Sequence, residues 1–398
     1  MTAFALAWRT ARRYRARAVL AIVGVAVIGA LNFDMLMLSR GLMLSFADLV
    51  NSTGYDIRIA GSTGSPLSRQ PIDAATELMK KVAALPEVEA VAAVRTVAAA
   101  IAPPGRRVEG AELIGSTDLQ SLGISKAAGD PIALKSADEA VVSRSMANRL
   151  SLGVGSTVTV RVRISGSLSA MPAVTFRVAG LADFPFEAEG GNVVATTMEG
   201  FRAAHGGVLD DQAGFMFARS RASAGPDAAA AAISALRPDI RAFSNEQVIA
   251  NFSRNAFTYF RQISVVLSTT TAAFSFLLVA TLLTVSVNQR LGEVAALRAL
   301  GISRRRIASM LLWEAALLVG IGGVFALPLG QLLAMILDRI LRRMPGLPAG
   351  LHFFVFEPQA LALHAAVLVA TAAIAAVYPT WLAVSLPIAQ TLRQEVVS

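Results

Sequence analysis

Four long apolar runs constrain this chain more than any other feature of its sequence. A helix needs about 20 apolar residues to cross a hydrocarbon core of about 30 Å. Runs of that length lie at residues 19–38, 263–287, 307–330 and 361–382. Only 16% of the residues are charged, against about 25% in an ordinary soluble domain. The sequence therefore predicts a membrane α-helical protein with four transmembrane helices.

The positive charge is concentrated at the predicted membrane ends. Residues 41–261 contain 21 basic and 21 acidic side chains, so the formal net charge of +9 belongs to the other segments. This distribution argues against a nucleic-acid partner. Basic residues in short loops stay cytoplasmic, so two arginine clusters place residues 41–262 outside and both termini inside. The clusters are Arg9, Arg12, Arg13, Arg15 and Arg17, and then Arg290, Arg298, Arg304, Arg305 and Arg306.

Two features leave alternatives open. Arg339, Arg342 and Arg343 follow the third span in a segment that this topology puts outside, and we interpret them as the interfacial end of a longer third helix. The arginine-rich start of the first span is also typical of a cleavable signal peptide. Because the apolar stretch continues past Asn32 without a convincing cleavage site, a retained helix is favoured.

The apolar runs and charge clusters divide the chain into nine segments. In order, they are an interfacial or cytoplasmic N-terminal helix (1–18), a first span (19–40), an extracytoplasmic domain with a stalk (41–262), a second span (263–287), a cytoplasmic segment (288–306), a third span (307–330), an extracytoplasmic loop (331–360), a fourth span (361–383) and a cytoplasmic tail (384–398).

The long segment after the first span has the pattern of an α+β domain. Short runs with period-two alternation predict strands, and runs with helical periodicity predict helices, separated by Gly, Pro and Ser clusters. The strand-like runs are 55–60, 88–99, 157–164, 174–181 and 215–219, and the helix-like runs are 72–85, 140–150 and 227–236. Apolar spacing over residues 244–261 predicts a helix that continues into the second span.

The domain carries no constellation that indicates an enzyme. The chain has no cysteine and three histidines, none at a metal-binding spacing to another. His205 lies in a glycine-flanked loop, and the sequence indicates no nucleophile that would act with it. The glycine-serine stretch at 61–65 lacks the Lys and the following helix of a phosphate-binding loop. We therefore expect no catalytic residue, metal or cofactor in this chain.

The segment between the second and third spans is predicted to form a tight helical turn on the cytoplasmic side. A short helix at residues 291–300 ends at Gly301, a residue suited to a helix C-terminus, and the next helix begins after Ser303, a suitable N-cap.

This short helix is interpreted as a docking element. Val294, Leu297 and Leu300 are expected to share one apolar face, which needs a protein partner in the cytoplasm. Glu293 and Arg298 flank that face and can fix the register of the contact through charge.

Glu314 is a carboxylate predicted to lie within the third span, about 10 Å from its start. Such residues are candidates for function. We favour a hydrogen-bonding partner inside the bundle over a role in substrate handling. Gly320, Gly322, Gly323 and Gly330 are predicted to allow close approach of neighbouring helices.

The same cytoplasmic stretch resembles the signature of FtsX-like ABC transporter permeases, which include the MacB, LolC and LolE types. Those proteins commonly read R-x-x-E-[IV]-x-x-L-[RK]-A-[LI]-G-x-[ST]. The matching residues are Arg290, Glu293, Val294, Leu297, Arg298, Ala299, Leu300, Gly301 and Ser303. Matches at residues 85–88, 152–155 and 176–180 extend the resemblance into the exported domain. The tail departs from it, since residues 382–384 replace a usual basic pair.

The resemblance implies a permease subunit with a MacB-like periplasmic core domain, located in the inner membrane. Its expected partners are a dimer of a separate cytoplasmic ABC ATPase that binds ATP and Mg²⁺, a second permease copy or homologue, membrane lipids, and a periplasmic adaptor or substrate-binding protein. The implied mechanism is mechanotransmission, in which ATP hydrolysis moves the exported domains to export or extract a lipid, lipoprotein or amphiphile. The alternative within the family is an FtsX-like scaffold that activates an extracytoplasmic cell-wall hydrolase. A membrane-tethered enzyme is a third hypothesis, which the lack of a catalytic constellation disfavours.

Overall fold

The computed structural model describes residues 3–61, 64–66, 68, 70–101, 108–163, 171–188, 190–206, 211–255, 257–289, 292, 294, 298–342, 348 and 350–385. The chain forms two compact units. The membrane unit comprises Met1–Leu42, Thr258–Arg339 and Phe353–Ser398, and the exported unit comprises Met43–Phe257 and Ile340–His352.

Among the described residues, four helices are long and apolar enough to cross a membrane, as the sequence predicts. They are TM1 (Arg15–Asn51), TM2 (Phe257–Asn288), TM3 (Arg304–Arg342) and TM4 (Pro358–Ser385), and a shorter helix, Ala3–Arg13, precedes them. All four exceed the predicted spans, because the residues that flank each apolar run are also helical.

TM3 corrects one predicted boundary. The segment 331–360 was expected to be a loop, but the helix continues to Arg342. Leu332, Met335 and Ile336 extend its apolar surface at helical spacing. Arg339 and Arg342 therefore lie in its last turns, as the interpretation of a longer third helix requires.

Glycines bring the spanning helices into close contact. A Cβ added at Gly322 of TM3 would lie 2.7 Å from the side chain of Val25 in TM1. One added at Gly323 would lie 2.6 Å from Leu368 of TM4. Gly322 requires glycine, because its neighbours are the Cβ of Val25 and a backbone oxygen, whereas Gly323 faces the flexible end of Leu368, which can shift. The predicted close approach is present at both positions.

The exported unit is a mixed α+β fold, which confirms the predicted class. Its helices are Ala75–Ala83, Arg144–Leu150, Met198–Ala204, Pro226–Ser234 and Asn245–Asn255. Its strands are β1 (Ile57–Gly61), β2 (Ile72–Asp73), β3 (Val88–Ile101), β4 (Glu109–Ser116), β5 (Ser125–Gly129), β6 (Glu139–Ser143), β7 (Thr157–Val162), β8 (Val174–Asp183), β9 (Val193–Thr197), β10 (Gln212–Ala213), β11 (Phe215–Ser220) and β12 (Ile240–Ser244).

The first lobe of this unit is a four-stranded antiparallel sheet in the order β12-β1-β11-β3. Along the chain its elements follow a β-α-β-β-α-β pattern, with helices Ala75–Ala83 and Pro226–Ser234 as the two crossovers. Both helices pack on one face of the sheet, where Leu78 and Ile233 join Ile57, Ile59 and Met216 in a buried core.

The second lobe is a ring of six strands. Pairing runs from β3 to β4, β9, β6, β8 and β7 and back to β3, so these strands close on one another. Their inward side chains, with those of helices Arg144–Leu150 and Met198–Ala204, fill the interior. This core includes Ile101, Leu113, Met146, Phe176, Val194 and Phe201. The long strand β3 belongs to both lobes and joins them.

The five strand-like runs of the sequence are confirmed to within a few residues. The helix predicted at 140–150 begins only at Arg144, because Ala140, Val141 and Val142 form the central strand β6 between β8 and β9. A strand buried on both faces is apolar throughout, so its pattern does not differ from that of a buried helix. Likewise, residues 72–73 form strand β2 ahead of a helix that begins at Ala75.

The predicted helix over 244–261 is present on both sides of residue 256, which lies outside the described residues.

We expect Gly322→Leu to destabilise the membrane unit by about 1–3 kcal/mol, because the new side chain overlaps Val25 and the carbonyl of Ile22. Gly320→Leu is the matched control: nothing lies within 4 Å of a Cβ added there, so the close packing predicted for Gly320 is wrong. Thermal unfolding of the purified protein in detergent measures the difference. Equal losses in the two variants would contradict a packing role for Gly322.

Candidate functional site

The segment between TM2 and TM3, which the sequence predicts to be cytoplasmic, is anchored to both helices. Val294 is 8% exposed and packs against Val287 of TM2 and against Ile307 and Leu311 of TM3. Ile302 lies at the edge of the same cluster. The segment is therefore attached to the ends of two spanning helices through apolar contact.

The turn that closes this segment has the predicted form. Gly301 has φ +86°, a conformation that L side chains rarely adopt, and its N–H donates to the carbonyl of Arg298 at 3.1 Å. The carbonyl of Ser303 accepts from Arg306 at 3.0 Å, at the start of TM3. Gly301 and Ser303 thus end one helical stretch and begin the next.

The predicted docking face is corrected by the burial of its members. Val294 points into the chain's own core, whereas the side chain of Leu300 is 81% exposed, so the two do not form one external face. Leu300 lies six positions after Val294, which along a helix corresponds to a rotation of about 240°. The apolar residues of this segment therefore belong to two surfaces, one internal and one external. The other predicted members, Arg290, Glu293 and Leu297, lie outside the described residues.

Glu314 of TM3 forms an ion pair with TM1. Its Oε1 accepts from a guanidinium nitrogen of Arg17 at 3.1 Å, and the carboxylate is 2% exposed. A second guanidinium nitrogen of Arg17 donates to Gln289, at the end of TM2, at 3.3 Å. Arg17 therefore bridges three helices beside the cytoplasmic segment. The contact agrees with the predicted hydrogen-bonding role of Glu314 inside the bundle, and it shows that the partner is a cation.

The N-terminal helix Ala3–Arg13 lies against the same end of the membrane unit. The ring of Phe4 meets Trp313 of TM3 edge to face with centroids 5.5 Å apart. The guanidinium of Arg12 lies 5.1 Å from the ring of Trp8, and that of Arg17 lies 5.4 Å from the ring of Tyr14. Aromatic and cationic groups side by side suit the headgroup region of a bilayer.

The exported unit has a cleft of about 770 Å³ lined by side chains of both lobes. Arg95, Arg163 and Glu112 supply charge, and Phe186 supplies an exposed apolar surface. Glu187 also lines the cleft, and burial raises the pKa of its carboxyl, while a hydrogen bond from Ser145 opposes that effect. The cleft can therefore receive a ligand with polar and apolar parts.

No group of three or more potential metal ligands occurs among the residues that the structure describes. His205 stacks on Phe201 at a centroid distance of 6.3 Å, as a packed side chain at the end of a helix.

Two family models match consecutive parts of the chain. The MacB-like periplasmic core domain matches residues 18–236, and the FtsX-like permease C-terminal region matches residues 265–388. The chain belongs to the FtsX/MacB-type permease family. A permease of this family is a multi-pass membrane protein and a transport subunit rather than a catalytic enzyme, and the family generally works with a cytoplasmic ABC ATPase.

Solved structures similar to this permease are extracytoplasmic domains. The periplasmic region of MacB from Actinobacillus actinomycetemcomitans is 11% identical, with a TM-score of 0.39 over 51% of this chain and 94% of that one. The extracellular domain of the ABC-type transporter YknZ from Gram-positive bacteria is 11% identical, with a TM-score of 0.34 over 48% and 98%. A permease domain from Porphyromonas gingivalis is 14% identical, with a TM-score of 0.32 over 48% and 88%. A comparison with curated proteins finds no match.

Sequence reasoning missed two residues of the permease's membrane unit. The sequence interprets Arg17 as a topology signal or as part of an interfacial helix, although a carboxylate near the same membrane end, Glu314, indicates a partner for it. Asp34 was not singled out, although it lies inside the first predicted span, where an acidic residue is rare.

We expect Glu314→Leu to destabilise the membrane unit by about 3 kcal/mol, because it leaves the Arg17 guanidinium without its buried partner. Glu314→Gln should lose only about 1 kcal/mol, since the amide oxygen still accepts from Arg17. The control is Arg17→Leu combined with Glu314→Leu, which removes both charges and should recover most of the loss. Unfolding in detergent measures all three. No recovery in the double variant would contradict the ion pair.

Proposed function

We propose that this chain is the permease subunit of an ABC transporter of the mechanotransmission type. In this proposal, a separate ATPase binds the cytoplasmic segment, and its ATP-driven motion passes through the spanning helices to the exported unit. The cargo class is a lipid, lipoprotein or other amphiphile, exported or extracted from the inner membrane.

The observation that carries the proposal is that one short segment contains both an exposed apolar residue, Leu300, and a buried one, Val294. Leu300 offers an apolar side chain to the cytoplasm, and a partner that buried it would gain about 1.5–3 kcal/mol. Val294 attaches the same segment to TM2 and TM3. A partner that moves Leu300 therefore displaces the ends of two membrane helices.

The Arg17 bridge extends this path to TM1. Arg17 joins the end of TM2 to TM3. It belongs to the 37-residue helix Arg15–Asn51, which continues past the predicted span. Coupling between distant sites requires stiff elements with alternative arrangements. A continuous helix held at its cytoplasmic end by an ion pair is such an element.

The proposed assembly contains two permease chains and two ATPases. A second copy or a homologue would supply the other permease, and a periplasmic adaptor or substrate-binding protein would engage the exported unit. The cleft beside Phe186 and Glu187 is the proposed place for the amphiphile or for such a partner.

Leu300→Asp should weaken ATPase binding about tenfold or more, because a charge replaces the exposed apolar contact, and tenfold is about 1.4 kcal/mol. The permease itself should stay inserted and folded. Leu300→Met is the conservative control, expected to keep binding. Co-purification from native membranes, with mass spectrometry for an ATP-binding cassette protein and an ATPase assay, measures the effect.

Val294→Asp distinguishes the contact with the ATPase from the attachment of the segment to TM2 and TM3. Its side chain is buried among Val287, Ile307 and Leu311, so this change should lower the stability of the permease itself. An ATPase that remains bound with unchanged activity to the Leu300→Asp protein would place the interface elsewhere. A cell-wall hydrolase co-purifying in place of cargo would favour the regulatory scaffold.

The topology of the proposal gives a further expected outcome. Reporters fused after Asp130 should read extracytoplasmic, and reporters after Ser303 and Ser398 should read cytoplasmic. The arginines at the end of TM3 motivate this check, since basic residues favour the cytoplasmic side. Protection of residues near 130 from protease in intact spheroplasts would overturn the topology.

A further inference from the structure

Asp34 is a fully buried carboxyl within TM1. It is 0% exposed, and neither of its oxygens has a hydrogen-bond partner in the part of the chain that the structure describes. Its Oδ1 lies against Gly330 of TM3, 3.3 Å from where a Cβ would stand on that glycine. Gly330 is thus a close-packing position, as predicted, and its missing side chain leaves room for the carboxyl.

His364 of TM4 has the same property. It is 2% exposed, and both ring nitrogens lack a hydrogen-bond partner among the described residues. Its ring lies 5.3 Å from that of Phe33, the residue before Asp34. The same Phe33 ring is 3.2 Å from the Cβ position of Gly330. Asp34 and His364 therefore flank one aromatic side chain in the bundle interior.

The other groups around this site are neutral or already engaged. TM2 contributes Ser268, whose hydroxyl donates to Asn32, and Ser264, whose hydroxyl donates to a carbonyl of TM1. In TM3 the nearest acidic residue along the helix is Asp338, two turns beyond Gly330, and it accepts the backbone N–H of Phe353. Along TM4, the titratable residues nearest to His364 in sequence are Glu357, just before the helix, and Tyr378, 14 residues or about 21 Å further along it.

Buried polar groups without partners are rare in folded proteins and call for an explanation. A charge with no partner in a hydrocarbon environment is strongly disfavoured, and a neutral group is much less so. In this packed arrangement a carboxylate at Asp34 or an imidazolium at His364 would stand unpaired. A neutral carboxylic acid and a neutral imidazole can be buried at a lower free-energy cost than the charged forms.

We propose that Asp34 and His364 form a proton-binding site in the outer half of the membrane unit. In the packed arrangement the proton is on the Asp34 carboxyl and the imidazole is neutral. When TM1 moves away from TM3 and TM4, water reaches the site, the O–H bond of Asp34 breaks, and the proton passes to His364 or to water. The ligand of the site is a proton.

The placement ties this site to movement of TM1. Asp34 lies 15 residues after the start of the predicted first span and His364 lies 6 residues after the start of TM4, so both are near the extracytoplasmic ends. TM1 carries Arg17 near its start and Asp34 near its middle. The packed arrangement is therefore favoured by low pH and opposed by high pH on the outer side. The proposed proton site lies within this chain alone, so it can be tested without the ATPase or any other partner protein.

The experiment is infrared spectroscopy of the full-length protein in lipid nanodiscs, titrated from about pH 5 to about pH 9, well above the ordinary aspartate pKa of about 3.9. We expect a carbonyl band of a protonated carboxylic acid at neutral pH. Asp34→Asn should remove it. Asp338→Asn is the matched control, because its carboxyl already accepts a backbone N–H, and it should leave the band unchanged. His364→Gln should shift the pH at which the band disappears.

Stability against pH provides the second measurement. Because the packed state holds Asp34 protonated and the unfolded state ionises it, the stability of the membrane unit should fall as pH rises from about 4. This slope should be smaller in Asp34→Asn. If Asp34→Asn does not insert, Asp34→Glu keeps the acid and should shift the band, which assigns it instead. Absence of the band at neutral pH in the wild type, or its survival in Asp34→Asn, would overturn the proposal.

Discussion

The hydrogen-bonding requirement of the backbone in hydrocarbon is the constraint on which the membrane unit depends. An unpaired peptide group costs several kcal/mol in lipid, so each crossing must be a helix that satisfies its own backbone. Lipid supplies no hydrophobic force between such helices. Their association then rests on close packing, which Gly24 against Leu278 of TM2 and Gly322 against Val25 of TM1 illustrate.

Two polar features at opposite ends of this bundle have different physical characters. At the end that carries the N-terminal helix, Arg17 and Glu314 are an ion pair with an added hydrogen bond to Gln289, so charge is balanced where the helices meet. At the other end, Asp34 and His364 are buried with no hydrogen-bond partner among the described residues. The first arrangement fixes three helices together, whereas the second is stable only while the groups stay neutral. TM1 takes part in both.

The exported unit is organised by one strand. β3 is 14 residues long, and its first half completes the antiparallel sheet of the first lobe while its second half closes the six-stranded ring. Each lobe has its own buried cluster. The cleft lined by Arg95 and Phe186 lies where β3 passes from one lobe to the other. A ligand there contacts both lobes, so their packing affects its binding.

The sequence by itself determined the four spans, the domain between the first two, five of its strands, and the Gly301 turn, because length, periodicity and glycine geometry are local properties. Tertiary structure decided the rest. Val141 and Val142 are a strand because β8 and β9 flank them, which no local pattern encodes. Val294 faces inward and Leu300 outward because TM2 and TM3 cover one side of the segment. The partners of Arg17 and the isolation of Asp34 depend on which helices pack together, and contacts between residues hundreds of positions apart are fixed only by the fold.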